Sequence, residues 1–126
     1  MNVCELRKEL SHRLSIDMND YCRTNESWRK LTEILSENIS ETIRFFQQEC
    51  TDEELFWLSE VFEEVVEETQ SKELIQVLRD RLAQVTPERY DQQAFETEHM
   101  RKWIDYPEYV RSVGNEIEYA EGQIED

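Results

Sequence analysis

Glu9-Leu-Ser-His12 and Glu96-Thr-Glu-His99 share the spacing Glu-x-x-His. On a helix that spacing turns a carboxylate and an imidazole to one side, and facing helices can use it to hold a di-iron or di-manganese centre. Geometry argues against such a centre here. Val3, Leu6, Leu10 and Leu14 form one apolar stripe, from which His12 projects about 170° away and Glu9 about 110°, so this pair faces solvent. Glu96 and His99 lie on the side of Phe95 and Trp103, but one motif is half a site. Glutamate is abundant enough for two chance matches, and His99 reads as a hydrogen-bonded boundary residue. No metal and no cofactor are expected.

Other chemistries lack their residues. No GxxxxGK[ST], GxGxxG or GxSxG occurs, and two glycines can hardly build a phosphate-cradling loop. Cys4, Cys22 and Cys50 are odd in number, far apart and without a CxxC pair, which fits reduced thiols in a cytosol. Neither His12 nor His99 stands in a motif that would activate one of them. The chain is expected to be a cytoplasmic protein without enzymatic activity.

The concentrated feature is acidic. Residues 51–71 read TDEELFWLSEVFEEVVEETQS. At about 100° per residue, Leu55, Leu58, Val61, Phe62, Val65 and Val66 gather on one side as a core stripe. The opposite side holds Glu53, Glu60, Glu63, Glu64 and Glu67, with Phe56 projecting between Glu60 and Glu63 and Trp57 beside Glu53 and Glu64. Like charges three and four residues apart destabilise a helix by a few tenths of a kcal/mol per pair, so local stability does not explain them. Either a second helix covers the two aromatics, or they anchor a protein interface whose glutamates select a basic partner. A second acidic group, Asp105, Glu108, Glu116, Glu118, Glu121, Glu125 and Asp126, reads as a solvated C-terminal face and tail.

The balance of the whole chain agrees. Thirty acids against 14 bases give a formal net charge of −16 over 126 residues, beyond the roughly 2 to 8 that solubility needs. Nucleic acid and anionic membrane should repel such a surface, and basic proteins should be drawn to it. No apolar run approaches the roughly 20 residues of a membrane span, and the N-terminal stretch lacks the apolar segment of a signal peptide.

These residues are expected on helices. Two glycines, two prolines and no Asn-Gly or Asp-Gly leave little turn chemistry for a sheet. After the first stripe, residues 15–27 lose the period and read as a connection. Trp28, Leu31, Leu35, Ile39, Ile43 and Phe46 then keep one register, as one long helix or as two meeting at the cap-like Asn38. Thr51-Asp-Glu-Glu54 is a capping box that opens a helix to about Thr69. Ser71 caps the next, with Leu74, Ile75, Leu78 and Leu82 inward. Thr86-Pro87 starts another, carrying Phe95, Met100 and Trp103. After Tyr106-Pro107 a last seam runs through Val110, Val113, Ile117, Ala120 and Ile124, with the tail 115–126 expected to fray. Short connections make neighbours antiparallel. The fold expected is a single all-α domain over 1–126, a compact helical bundle or a short stack of antiparallel helix hairpins.

TDEELFWLSEVFEEVVEETQSKELIQVLRDRLAQ, preceded by WRKLTEILSENISETIRFF, resembles the small all-helical immunity proteins of bacterial contact-dependent growth inhibition and related polymorphic toxin systems, over about residues 25–90. The resemblance implies a cytosolic antidote that binds one cognate toxin domain, often a basic nuclease, and blocks its active site. It transfers no contact residues. Those expected from charge and helical face are Phe56, Trp57, Glu53, Glu60, Glu63, Glu64 and Glu67. The competing expectation is a helical-stack adaptor with an ordinary protein partner.

Overall fold

In a computed structural model that describes residues 1–17 and 19–125, the chain is all-helical, with no strand among the described residues. Met18 and Asp126, the latter one of the acids of the C-terminal tail, lie outside them. The order is α1 (Val3–Ser15), α2 (Tyr21–Glu37), α3 (Ile39–Gln48), α4 (Asp52–Leu58), a 3₁₀ turn (Ser59–Val61), α5 (Phe62–Thr69), α6 (Lys72–Ala83), α7 (Pro87–Gln92), α8 (Glu98–Trp103) and α9 (Tyr106–Glu121). Among these, no helix is long and apolar enough to cross a membrane.

Local side chains set the starts. The Thr51 hydroxyl accepts from the Glu54 amide at 3.1 Å while Glu54 Oε1 accepts from the Thr51 amide at 3.0 Å, which completes the expected capping box. Ser71, Thr86 and Asp105 accept from the third amide of α6, α7 and α9 in the same way. Asn38 resolves the choice left open for the second seam. Its backbone is extended, with φ −143°, and its side chain accepts from the Glu41 amide, so α2 ends and α3 begins there.

Four expectations need correction. The connection after α1 is shorter than residues 15–27: α2 starts at Tyr21, capped by Asp20, which accepts from the Arg23 amide. Its inward residues in that stretch are Thr24 and Ser27, both buried, and an apolar period cannot register them. Residues 52–69 are not one regular helix. Ser59 Oγ donates to the Phe56 carbonyl at 2.5 Å, a back-bond of the kind that bends helices, and Ser59–Val61 tighten into the 3₁₀ turn. The helix after Thr86-Pro87 stops at Gln92 because the next donors bond sideways to α4: Gln93 Nε2 to Asp52, and the Glu96 and Thr97 amides to Glu53. Trp103, expected on that same helix, instead closes α8 at 71% exposure. Finally, α9 runs to Glu121, and Gln123 and Glu125 beyond it are tied to the residue that ends α5, with Gln70 Nε2 donating to the Gln123 carbonyl at 2.8 Å and the Glu125 amide donating to Gln70 Oε1 at 2.7 Å. Gln70 is placed for both by its left-handed backbone, φ 53°.

The core stripe forms as its spacing requires. Leu55, Leu58, Val61, Phe62, Val65 and Val66 are all buried. α5 packs against both α2 and α9, α6 against α3 and α9, and α1 against α2. Phe46 meets Phe45 and Phe62 edge to face at 5.3 and 5.8 Å. Each such side chain contributes roughly 1.5–3 kcal/mol on burial.

Candidate functional site

The turn at Ser59–Val61 decides where the acidic residues go. A wheel drawn at constant pitch through residues 52–69 lines them up on one face; the bend distributes them to several neighbours.

Glu53 turns toward the α7–α8 connection. Its two carboxylate oxygens accept from the Glu96 and Thr97 amides at 3.1 and 2.8 Å, so it holds the chain that enters α8, whose N-cap Thr97 makes no side-chain cap bond. Phe56 and Trp57 are half-buried against the core. Phe56 stacks on Tyr109 of α9 with ring centroids 5.9 Å apart. Trp57 meets Phe56 edge to face at 5.1 Å and His99 at 5.9 Å. A neighbouring helix therefore covers part of each. Trp57, Glu53, Leu10 and Leu14 line a cleft of about 480 Å³ between α1, α4 and the α7–α8 connection.

Beyond the bend the carboxylates do converge. Glu60 pairs with Arg13 of α1 at 2.7 Å, and that guanidinium lies 5.6 Å from the Trp28 ring of α2. Glu63 Oε1 accepts from Gln123 Nε2 at 2.9 Å. Glu67 is exposed. Facing this group from α9 is Glu116, a residue whose place in the chain suggests only a solvated tail. Partial burial raises the Glu116 carboxyl above the ordinary carboxylate range, and the charges of Glu63, Glu64 and Glu60 raise it further. Glu64 is raised in the same way, by shielding of its carboxyl first and then by Glu63 and Glu67. No sequence spacing links Glu116 to Glu63; the signal appears only when α5 and α9 pack. Three other acids of the C-terminal group have partners: Glu121 is held bidentate by Arg79 at 2.7 and 2.9 Å, Asp105 caps α9 and Glu108 pairs with Arg111.

The Glu-x-x-His residues stand apart. His12 and His99 are exposed. Glu9 is half-buried rather than solvated, because its carboxylate accepts from Ser27 Oγ of α2 at 2.8 Å. Among the described residues no group of three or more His, Cys, Asp or Glu is placed to hold a metal ion. The three cysteines are free. Cys50 is buried, its thiol pushed well above the usual range by desolvation, which makes it a packed thiol and a poor nucleophile.

The arrangement is thus suited to attracting positive charge. Glu60, Glu63, Glu64 and Glu116 face one another across α5 and α9, and among the described residues Arg13 is the cation paired within the group. In comparisons with protein-family models, curated proteins and solved structures, nothing matches this chain.

Proposed function

We propose that this protein is an immunity protein: a non-enzymatic inhibitor that binds a cognate toxin domain with a cationic, nucleic-acid-binding surface, most simply a nuclease, and blocks its active site. The observation that carries the reading is the cluster of Glu60, Glu63, Glu64 and Glu116, in which the carboxyls of Glu64 and Glu116 are raised by burial and neighbouring glutamates, while Arg13 pairs only with Glu60. A fold selected for stability alone would relieve that repulsion. A partner bringing lysine and arginine relieves it on binding. The toxin residues that ordinarily hold phosphate would meet these carboxylates, so inhibitor and nucleic acid compete for one positive surface. The resemblance of residues 25–90 to immunity proteins and the net charge of −16 support the same reading.

Affinity should fall with salt, mainly through a slower association rate. The test is charge reversal. Glu60→Lys with Glu64→Lys should abolish capture of a cationic protein from the native cell and protection of cells that express the toxin. Unchanged capture and protection would show that the partner sits elsewhere.

A further inference from the structure

One open groove is lined by several charged side chains. A groove of about 880 Å³ lies between α2 and α5, with α1 at one end, and its walls carry Glu5, Glu33, Glu37, Glu64, Glu68 and the indole of Trp28. The cation on its wall is Arg29, whose guanidinium is already engaged by Glu26 and Glu33. Among the described residues Glu37, Glu64 and Glu68 form no ion pair. Two polar atoms of wall residues, Trp28 Nε1 and Ser36 Oγ, are shielded from solvent and have no hydrogen-bond partner there.

The lining excludes simpler occupants. Small-molecule sites are mostly apolar with a few convergent polar groups, and here five of the eleven lining residues are glutamates. They are strung along α2 and α5, with Glu5 on α1, and among the described residues no group of three or more His, Cys, Asp or Glu is placed to hold a metal. Charge extended along a groove matches charge extended along a peptide. Arginine fits such walls well, because its planar fork pairs with carboxylates and packs on aromatic rings.

We propose that this groove receives an extended arginine- or lysine-bearing segment of the partner, with Glu37, Glu64 and Glu68 as countercharges. The proposal rests on the cationic-partner reading above but not on the partner being a nuclease. It adds α2 to the contact surface.

An acetylated tetra-arginine amide serves as the probe, with the equal-length citrulline peptide as its neutral counterpart. Titrated into nitrogen-15-labelled protein at low salt, tetra-arginine should saturably shift the Trp28 indole signal and the amides of residues 33–37 and 64–68, leaving the Trp103 indole unmoved. Glu37→Gln with Glu68→Gln should weaken binding about tenfold, as expected for two lost charge contacts, with an unchanged melting temperature. Citrulline binding of equal strength would overturn charge recognition, and an unaltered affinity in the double variant would overturn the groove. Shifts centred on Glu60, Glu63 and Glu116 with Trp28 still would also remove the groove while leaving the cationic partner standing. No shift anywhere would remove both.

Discussion

Asp52 and Glu64 belong to the same helical run and meet opposite treatment. The Asp52 side chain has no exposure, and its oxygens accept from Arg81 Nη2 at 2.5 Å, from Arg89 Nε and Nη2 at 2.8 Å each, and from Gln93. Glu64 is only partly shielded and finds like charges. A buried carboxylate is tolerated when it is paired and hydrogen-bonded. The fold supplies two guanidinium groups for the carboxylate it buries and almost no cation for those it leaves at the surface of α5. That contrast separates charge used for structure from charge kept for something outside the chain.

The contrast breaks most visibly at Asp52. Asp52→Ala should cost about 3–5 kcal/mol, because Arg81, itself 4% exposed in its side chain, is left buried without a countercharge. The Asp52 carbonyl would still accept from the Tyr109 hydroxyl, so the loss measured by urea denaturation is that of the charge network. Glu64→Ala should change stability by less than about 0.5 kcal/mol in the same assay. Equal costs at the two positions would end the distinction.

Phe56 gives the next largest effect. Its ring lies between Trp57 and Tyr109, so Phe56→Ala should destabilise by about 2–3 kcal/mol in the same denaturation assay. An interface anchor would lower affinity and leave stability alone. Arg89→Ala should cost less, about 1 kcal/mol, since this partner of Asp52 is 47% exposed in its side chain and Arg81 remains.

How far the sequence reveals this depends on the range of the signal. Thr51, Ser71, Thr86 and Asn38 announce helix starts because a cap is chemistry within three residues, and each start stands where its cap predicts. The apolar stripe from Leu55 to Val66 is legible for the same local reason. The features that stay hidden are set across the fold. The bend at Ser59–Val61 depends on a hydroxyl turned back to Phe56, and the end of α7 on donors claimed by Asp52 and Glu53. A wheel of constant pitch cannot contain either, nor can it show that the Phe56 ring is covered by Tyr109 of α9. Glu116 illustrates the reverse case: an unremarkable glutamate in sequence, it becomes part of the acidic cluster only through packing.

The smallest effect has the sharpest sign. Glu64 and Glu116 have folded-state carboxyls raised above their unfolded values, so the folded protein binds more protons than the unfolded chain just above the ordinary carboxylate range. The stability they contribute is complete below the unfolded value and is lost as pH rises through the folded one. Stability should therefore increase as pH falls from neutral toward the ordinary carboxylate range, by less than about 1 kcal/mol because both groups keep access to water. Glu26 and Glu121 act oppositely and lower on the scale: their arginine partners hold them below the ordinary value, so their contribution disappears only as pH falls through it. Glu64→Gln with Glu116→Gln should flatten the first rise and leave the later fall in place. A bound cationic partner should reverse that rise, since it favours the ionised carboxyls, and its affinity should weaken over the interval in which the free protein becomes more stable. Melting temperature and affinity measured across the same pH series would show the two curves moving apart; curves moving together would mean that the raised carboxyls are not where the partner binds.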